Sequence, residues 1–150
     1  MGKLPVVSRS GVVAFLGKPL PALIEDAGSK AKYRFVEFFA ANIRNPNTRS
    51  AYAHAIAQFA GWCEQRRYKL ESLHPVLISG YVEHLSQRLK APSVKQHLAA
   101  IRMLFDWFVT GQVVPFNPAS SVRGPKHVVR RGKTPVLTAD EARNLLSSIK

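Results

Sequence analysis

The sequence is short of several things, and each shortage excludes a class of function. It holds one cysteine, Cys63, so no intrachain disulfide is available. That residue sits in an aromatic helical pattern, Ala60-Gly61-Trp62-Cys63-Glu64, which marks a buried thiol behaving as a small hydrophobe rather than a nucleophile. No apolar run nears the roughly 18 residues that cross a bilayer; Gly11–Leu16 and Pro19–Ile24 are broken by Gly17, Lys18 and prolines. A signal peptide needs a longer apolar core and a small-residue cleavage site. A cytoplasmic chain without a membrane partner is therefore expected. His54, His74, His84, His97 and His127 lack metal-ligand spacing and read as surface or phosphate-facing histidines. No metal, cofactor or small-molecule substrate is expected.

Acidic residues are the most telling shortage. Nine Asp and Glu face 22 Lys and Arg, for a net charge of +13. Between Glu83 and Asp140 the only acid is Asp106, against Arg88, Lys90, Lys95, Arg102, Arg123, Lys126, Arg130, Arg131 and Lys133. A field of one sign on that scale attracts a polyanion, and duplex DNA is the densest common one. An anionic membrane fits less well, because no helix pairs a Lys-rich face with a broad exposed apolar one. The adjacent acids Glu25-Asp26 and Asp140-Glu141 cannot converge on one substrate atom from a helix.

The hydrophobic fraction, 46%, suits a packed globular domain. Residues 1–28 read as an irregular arm, punctuated by Pro5, Gly11, Gly17, Pro19, Pro21 and Gly28; Val12–Leu16 fits a short strand or a packed segment equally. From Ser29 the pattern is helical. A first helix, about Ser29–Ile43, carries Phe35, Val36, Phe38, Phe39 and Ile43 on one face. Asn45-Pro46 stops it and starts a second, about Pro46–Arg67, with Asn as N-cap and Pro at the first helical position. That helix buries Tyr52, Ile56, Phe59, Trp62 and Cys63 and exposes Arg49, Ser50, His54 and Gln58. Pro75–Leu89 is the third, with Ile78, Tyr81, Val82 and Leu85 inward. Pro92–Val109 is the fourth, with Val94, Leu98, Ile101, Leu104, Phe105 and Phe108 inward and a capping box between Ser93 and Gln96. Thr110-Gly111 ends it, and Asn117-Pro118 starts at most one turn.

Four amphipathic helices on short connections predict an all-α, compact four-helix bundle over 29–123. Residues 124–135, Gly-Pro-Lys-His-Val-Val-Arg-Arg-Gly-Lys-Thr-Pro, read as a basic extended linker. Thr138-Ala139-Asp140-Glu141 is a capping box opening a further helix in 136–150, with Ala142, Leu145, Leu146 and Ile149 on one face and no partner for it in the preceding bundle.

Several phrases then align. Asn45-Pro46-Asn47-Thr48-Arg49-Ser50-Ala51-Tyr52 with Phe59 and Trp62-Cys63-Glu64, and Ser93 to Phe105, resemble two helices of one module. Asn117-Pro118-Ala119 and Val122-Arg123-Gly124-Pro125-Lys126 resemble its exit, and Pro135 to Ala142 the entry to the domain that follows it. In this order the chain, from about Ala31 to Lys150, resembles the N-terminal core-binding (SAM-like) domain of tyrosine recombinases, the phage integrase family. The resemblance implies a helical domain on one face of a DNA duplex and a catalytic domain on the other, with residues 136–150 as the start of the latter. Its second and fourth helices and the linker would face DNA. Those positions are Asn47, Thr48, Arg49 and Ser50; Ser93, Lys95, Gln96 and Arg102; and Lys126, Arg130, Arg131 and Lys133.

The residues support those positions independently. Lys95, Ala99 and Arg102 fall at i, i+4 and i+7, one stripe away from the apolar face. Thr48 and Ser93 suit either a helix cap or a phosphate contact. The linker cations suit backbone contacts better than base reading.

Family chemistry, tyrosine attack on a scissile phosphate helped by arginines, a lysine and histidines, belongs to the catalytic domain. None of its motifs is matched here, and Tyr33, Tyr52, Tyr68 and Tyr81 lie in the wrong part for the nucleophile. The implied partners are a recombination core half-site of double-stranded DNA and other recombinase protomers on it. Two other readings stay open on the residues alone. One is a helix-turn-helix regulator using the short break Lys90–Ser93. The other is a helical protein-interaction domain with an incidentally basic surface.

Overall fold

A computed structural model describes residues 19–126 and 139–148. They form α1 (Ala22–Glu25), α2 (Ser29–Glu37), a π-helical turn (Phe38–Asn42), α3 (Pro46–Gln65), a 3₁₀ turn (Leu70–Ser72), α4 (Pro75–Ser86), α5 (Ala91–Thr110) and α6 (Ala139–Ser148), with no strand among the described residues. The all-helical architecture agrees with the periodicity. The four expected helices are α2 with its π turn, α3, α4 and α5.

The end of the expected arm is not irregular. Pro21 opens the single turn α1, and Leu20, Leu23 and Ile24 are buried in the core. Glu64, near the end of α3, accepts a hydrogen bond from Leu23 N at 3.2 Å and so satisfies one of the amides that a helix start leaves free.

The first expected helix is α-helical only to Glu37. The wider turn that follows lets the consecutive residues Phe38 and Phe39 both be buried, which a regular helix would place about 100° apart. Their rings meet edge to face with centroids 4.9 Å apart, and Phe35 meets Phe39 at 5.2 Å.

α3 starts as its residues dictate. The Asn45 side chain accepts from the amides of Asn47 (2.8 Å) and Thr48 (3.2 Å), and Pro46 fills the first helical position. It ends without glycine: Arg67 takes the left-handed conformation at φ 59°, while Tyr68 N bonds Cys63 O and Arg67 N bonds Glu64 O. This is the Schellman pattern, and Tyr68 packs on Trp62 to complete it. α5 closes the same way, with Gln112 left-handed at φ 62° and Val113 N bonded to Phe108 O. Gly111 is there for proximity: a Cβ would stand 2.7 Å from Nε of Arg34.

α5 begins one residue before Pro92, with Lys90 as N-cap and no side-chain cap. The capping box expected at Ser93 is therefore absent. Ser93 lies inside the first turn, its amide bonded to Lys90 O, and its hydroxyl side is exposed. Thr138, the cap expected for α6, lies outside the described residues.

α3 and α5 form the central pair. Phe59 of α3 meets Phe105 of α5 (6.4 Å) and Tyr81 of α4 (5.1 Å), and Phe105 meets Phe108 at 5.8 Å. Trp107 Nε1 donates to Arg34 O at 3.0 Å, tying α5 to α2. Burying aromatic side chains of this size supplies most of the driving force, about 25 cal/mol for each Å² of apolar surface. Cys63 is fully buried, and burial pushes its pKa up to about 12, so it stays a thiol.

Candidate nucleic-acid interface

The exposed edge of α5 carries several of the candidate residues that the structure describes. Lys95 and Gln96 are exposed and Ala99 and Arg102 half-buried, along the margin of the buried row that includes Leu98, Ile101 and Phe105. The chain returns along this side after Pro118. A Cβ at Gly124 would stand 3.5 Å from both Leu98 Cδ2 and Lys95 Cγ, so the exit segment lies in van der Waals contact with α5. Arg123 and Lys126, on either side of that contact, are exposed. The exit segment thus carries Arg123 and Lys126 past Lys95, and none of the three has an acidic partner among the described residues.

Arg102 departs from its expected role. Its guanidinium is not free: Nε donates to Ala119 O at 3.2 Å and Nη2 donates to Val122 O. Its own carbonyl accepts from Asn117 Nδ2 at 3.0 Å, and the same amide reaches Asp106 Oδ1 at 2.7 Å. Asn117 Oδ1 accepts from Ala119 N at 2.9 Å. A peptide segment about twenty residues away occupies the fork of this cation.

The first turn of α3 is likewise partly taken. Arg49 is turned back, its Nε and Nη2 bonding Ile43 O at 3.2 and 2.7 Å. The amides of Asn47 and Thr48 serve the Asn45 cap, which removes two of the donors a phosphate would use at a helix start. Asn47 and Ser50 remain exposed and Thr48 is half-buried. Arg130, Arg131 and Lys133 lie outside the described residues.

A second group of polar residues lies on the α3–α4–α5 seam. His54 and Gln58, four residues apart on α3, are joined at 2.8 Å, and the His54 ring faces that of His97 on α5 at 6.5 Å. Just past α4, Arg88 reaches His84 Nε2 at 3.3 Å. The i, i+4 spacing puts His54 and Gln58 on the exposed face of α3, but nothing in it assigns them to a site. His97 corrects the expectation of surface histidines: it is 8% exposed, and its Nδ1 has no protein hydrogen-bond partner. Burial first, then His54 and Arg88, hold its pKa below the ordinary 6.5.

Among the described residues no group of His, Cys, Asp and Glu could hold a metal ion, and no helix is long and apolar enough to cross a membrane.

The model of the phage integrase N-terminal SAM-like domain matches residues 34–113, more than half of the 150-residue chain, and covers α3, α4 and α5 whole. The chain belongs to that family. No curated protein and no solved structure matches it. The match includes Lys95 and ends before Arg123 and Lys126, and it agrees with the resemblance carried by the Asn45–Tyr52 and Ser93–Phe105 phrases.

Proposed function

We propose that this chain is the duplex-binding part of a site-specific recombinase, holding one core half-site of DNA while other protomers occupy the rest of the site. The observation that carries the reading is the edge formed by Lys95, Arg123 and Lys126, three exposed cations gathered by α5 and its exit segment without an acidic partner among the described residues. Phosphates fit such an edge: cations on flexible stems track a backbone without reading bases. Gln96 and Ser93, exposed on the same helix, and Asn47 and Ser50 on α3 add polar contacts. The linker cations Arg130, Arg131 and Lys133 extend the charge along the duplex. Strand breakage and rejoining are assigned to residues outside this helical domain. Its one thiol is buried and protonated, and Tyr81 is buried with its pKa raised by that burial.

Titration of a labelled duplex at two salt concentrations tests the proposal. Binding at low salt, with log K falling by about 0.9 per decade of salt for each phosphate neutralised, is the expected result. No binding at low salt overturns it in favour of a protein-interaction domain.

A further inference from the structure

We infer that Arg102 is a positioning residue, the centre of a clasp that aims the exit segment so that Arg123 and Lys126 stand beside Lys95. The inference rests on the DNA-binding reading above and names how its cationic edge is assembled. The clasp is reciprocal. The Arg102 fork holds two carbonyls of the returning chain, Ala119 O and Val122 O. The Asn117 amide holds the Arg102 carbonyl and the Asp106 carboxylate, and its oxygen holds Ala119 N. Ser120 Oγ adds a bond to Asn117 O at 3.1 Å. Val122 and Ala119 are buried beneath this network, and Arg123 begins immediately beyond it.

The chemistry asks for arginine. A planar guanidinium presents donors in a rigid fork and can span two carbonyls three residues apart, whereas an ammonium is a single point. Charged donors to carbonyl oxygens are also stronger than neutral ones. With the turn held, the chain leaves α5 in one direction, and Gly124 settles against Lys95 and Leu98. Cations held in place beforehand lose less conformational freedom when a phosphate arrives. Released, the same two cations would sample many positions, and their contribution to one interface would fall.

Arg102→Lys separates position from charge, because the net charge is unchanged. Two measurements are made on the full chain: backbone ¹⁵N relaxation of Val122, Arg123, Gly124 and Lys126, and duplex binding over a range of salt. The expected result is ¹H–¹⁵N NOE values at those four amides that drop to those of a flexible segment, together with a log K–log salt slope shallower by nearly two. In the Arg102→Lys background, removing Arg123 and Lys126 should then cost little more, a non-additivity that a general loss of stability does not produce. If the lysine variant does not fold, Asn117→Ser opens the other half of the clasp and is read in the same way. An unchanged slope in a variant whose exit segment is loosened overturns the inference, as does an exit segment that stays rigid. A parent chain that binds no duplex overturns the DNA reading instead, and the relaxation data then report on the clasp alone.

Discussion

Two ends of this domain spend the same residue types differently. Around α1 and α2 three cations have acidic partners: Lys32 pairs with Glu25 at 3.7 Å, Arg34 with Glu37 at 2.8 Å and Lys69 with Asp26 at 3.8 Å, while Lys30 donates to Gln112 O. Along α5 and its exit, the only acid is Asp106, engaged by Asn117, and Lys95, Arg123 and Lys126 face outward unpaired among the described residues. Exposed ion pairs of the first kind contribute little stability, about 0–1 kcal/mol each. Their consequence is local: the field of Lys32, Arg34 and Lys69 is offset, whereas that of Lys95, Arg123 and Lys126 is not. A net charge of +13 favours a polyanion, and the proposed edge is a place where that charge meets no acid.

The largest expected effect tests that contrast directly. Replacing Lys95, Arg123 and Lys126 together with alanine should flatten the log K–log salt slope by about three and cost roughly two to three orders of magnitude in duplex affinity at 0.1 M salt. Replacing Lys32 and Lys69 should change either quantity far less, although both variants remove cations. Equal losses from the two variants would mean that total charge, not its placement, governs binding. Anisotropy titrations at several salt concentrations give both numbers.

Arg102 comes next, and its effect belongs first to stability. Arg102→Ala strands the carbonyls of Ala119 and Val122 and should lower unfolding free energy by about 2 kcal/mol in urea melts. A loss under about 0.5 kcal/mol would show the guanidinium to be a solvated cation after all. Smaller again is Asn45→Ala. Freeing the amides of Asn47 and Thr48 should cost about 1 kcal/mol, the ordinary value of an N-cap, and leave the salt slope where it was. A shallower slope in that variant would bring the first turn of α3 back into the interface.

Much of this fold was legible because its signals are local. Proline in the first turn and apolar residues three and four apart mark α3, α4 and α5 to within a few residues, and Asn45 announces its own cap. What stayed hidden depends on distant chain. Leu20, just before α1, and Leu23 and Ile24 within its single turn sit in a segment too short to show a period, and packing of α1 on α2 and α3 explains their burial. The π turn was invisible because two adjacent phenylalanines fit an apolar face of any geometry. For the candidate site, the wheel put Lys95 and Arg102 on one stripe, yet only the returning segment decides that one is free and the other engaged. Gln112 and Arg67 show the same limit, because left-handed helix ends are expected at glycine and here fall on long side chains.

The smallest expected effect is a pH dependence carried by His97, which lies on the seam between the two central helices rather than at either end. Its pKa is lowered in the fold, chiefly by burial and then by His54 and Arg88, so the unfolded chain accepts a proton that the folded one resists. The stability it allows is therefore complete above the unfolded value of about 6.5 and is lost as pH falls below it. Urea midpoints for the parent should drop between pH 7.5 and 5.5 by more than those of His97→Gln, in which that proton has no site. Parallel pH profiles would remove His97 from the account. The same experiment with duplex bound reports on the interface: a phosphate near the seam would stabilise protonated His97 and shrink the pH effect, whereas a duplex confined to the Lys95–Lys126 edge would leave it unchanged.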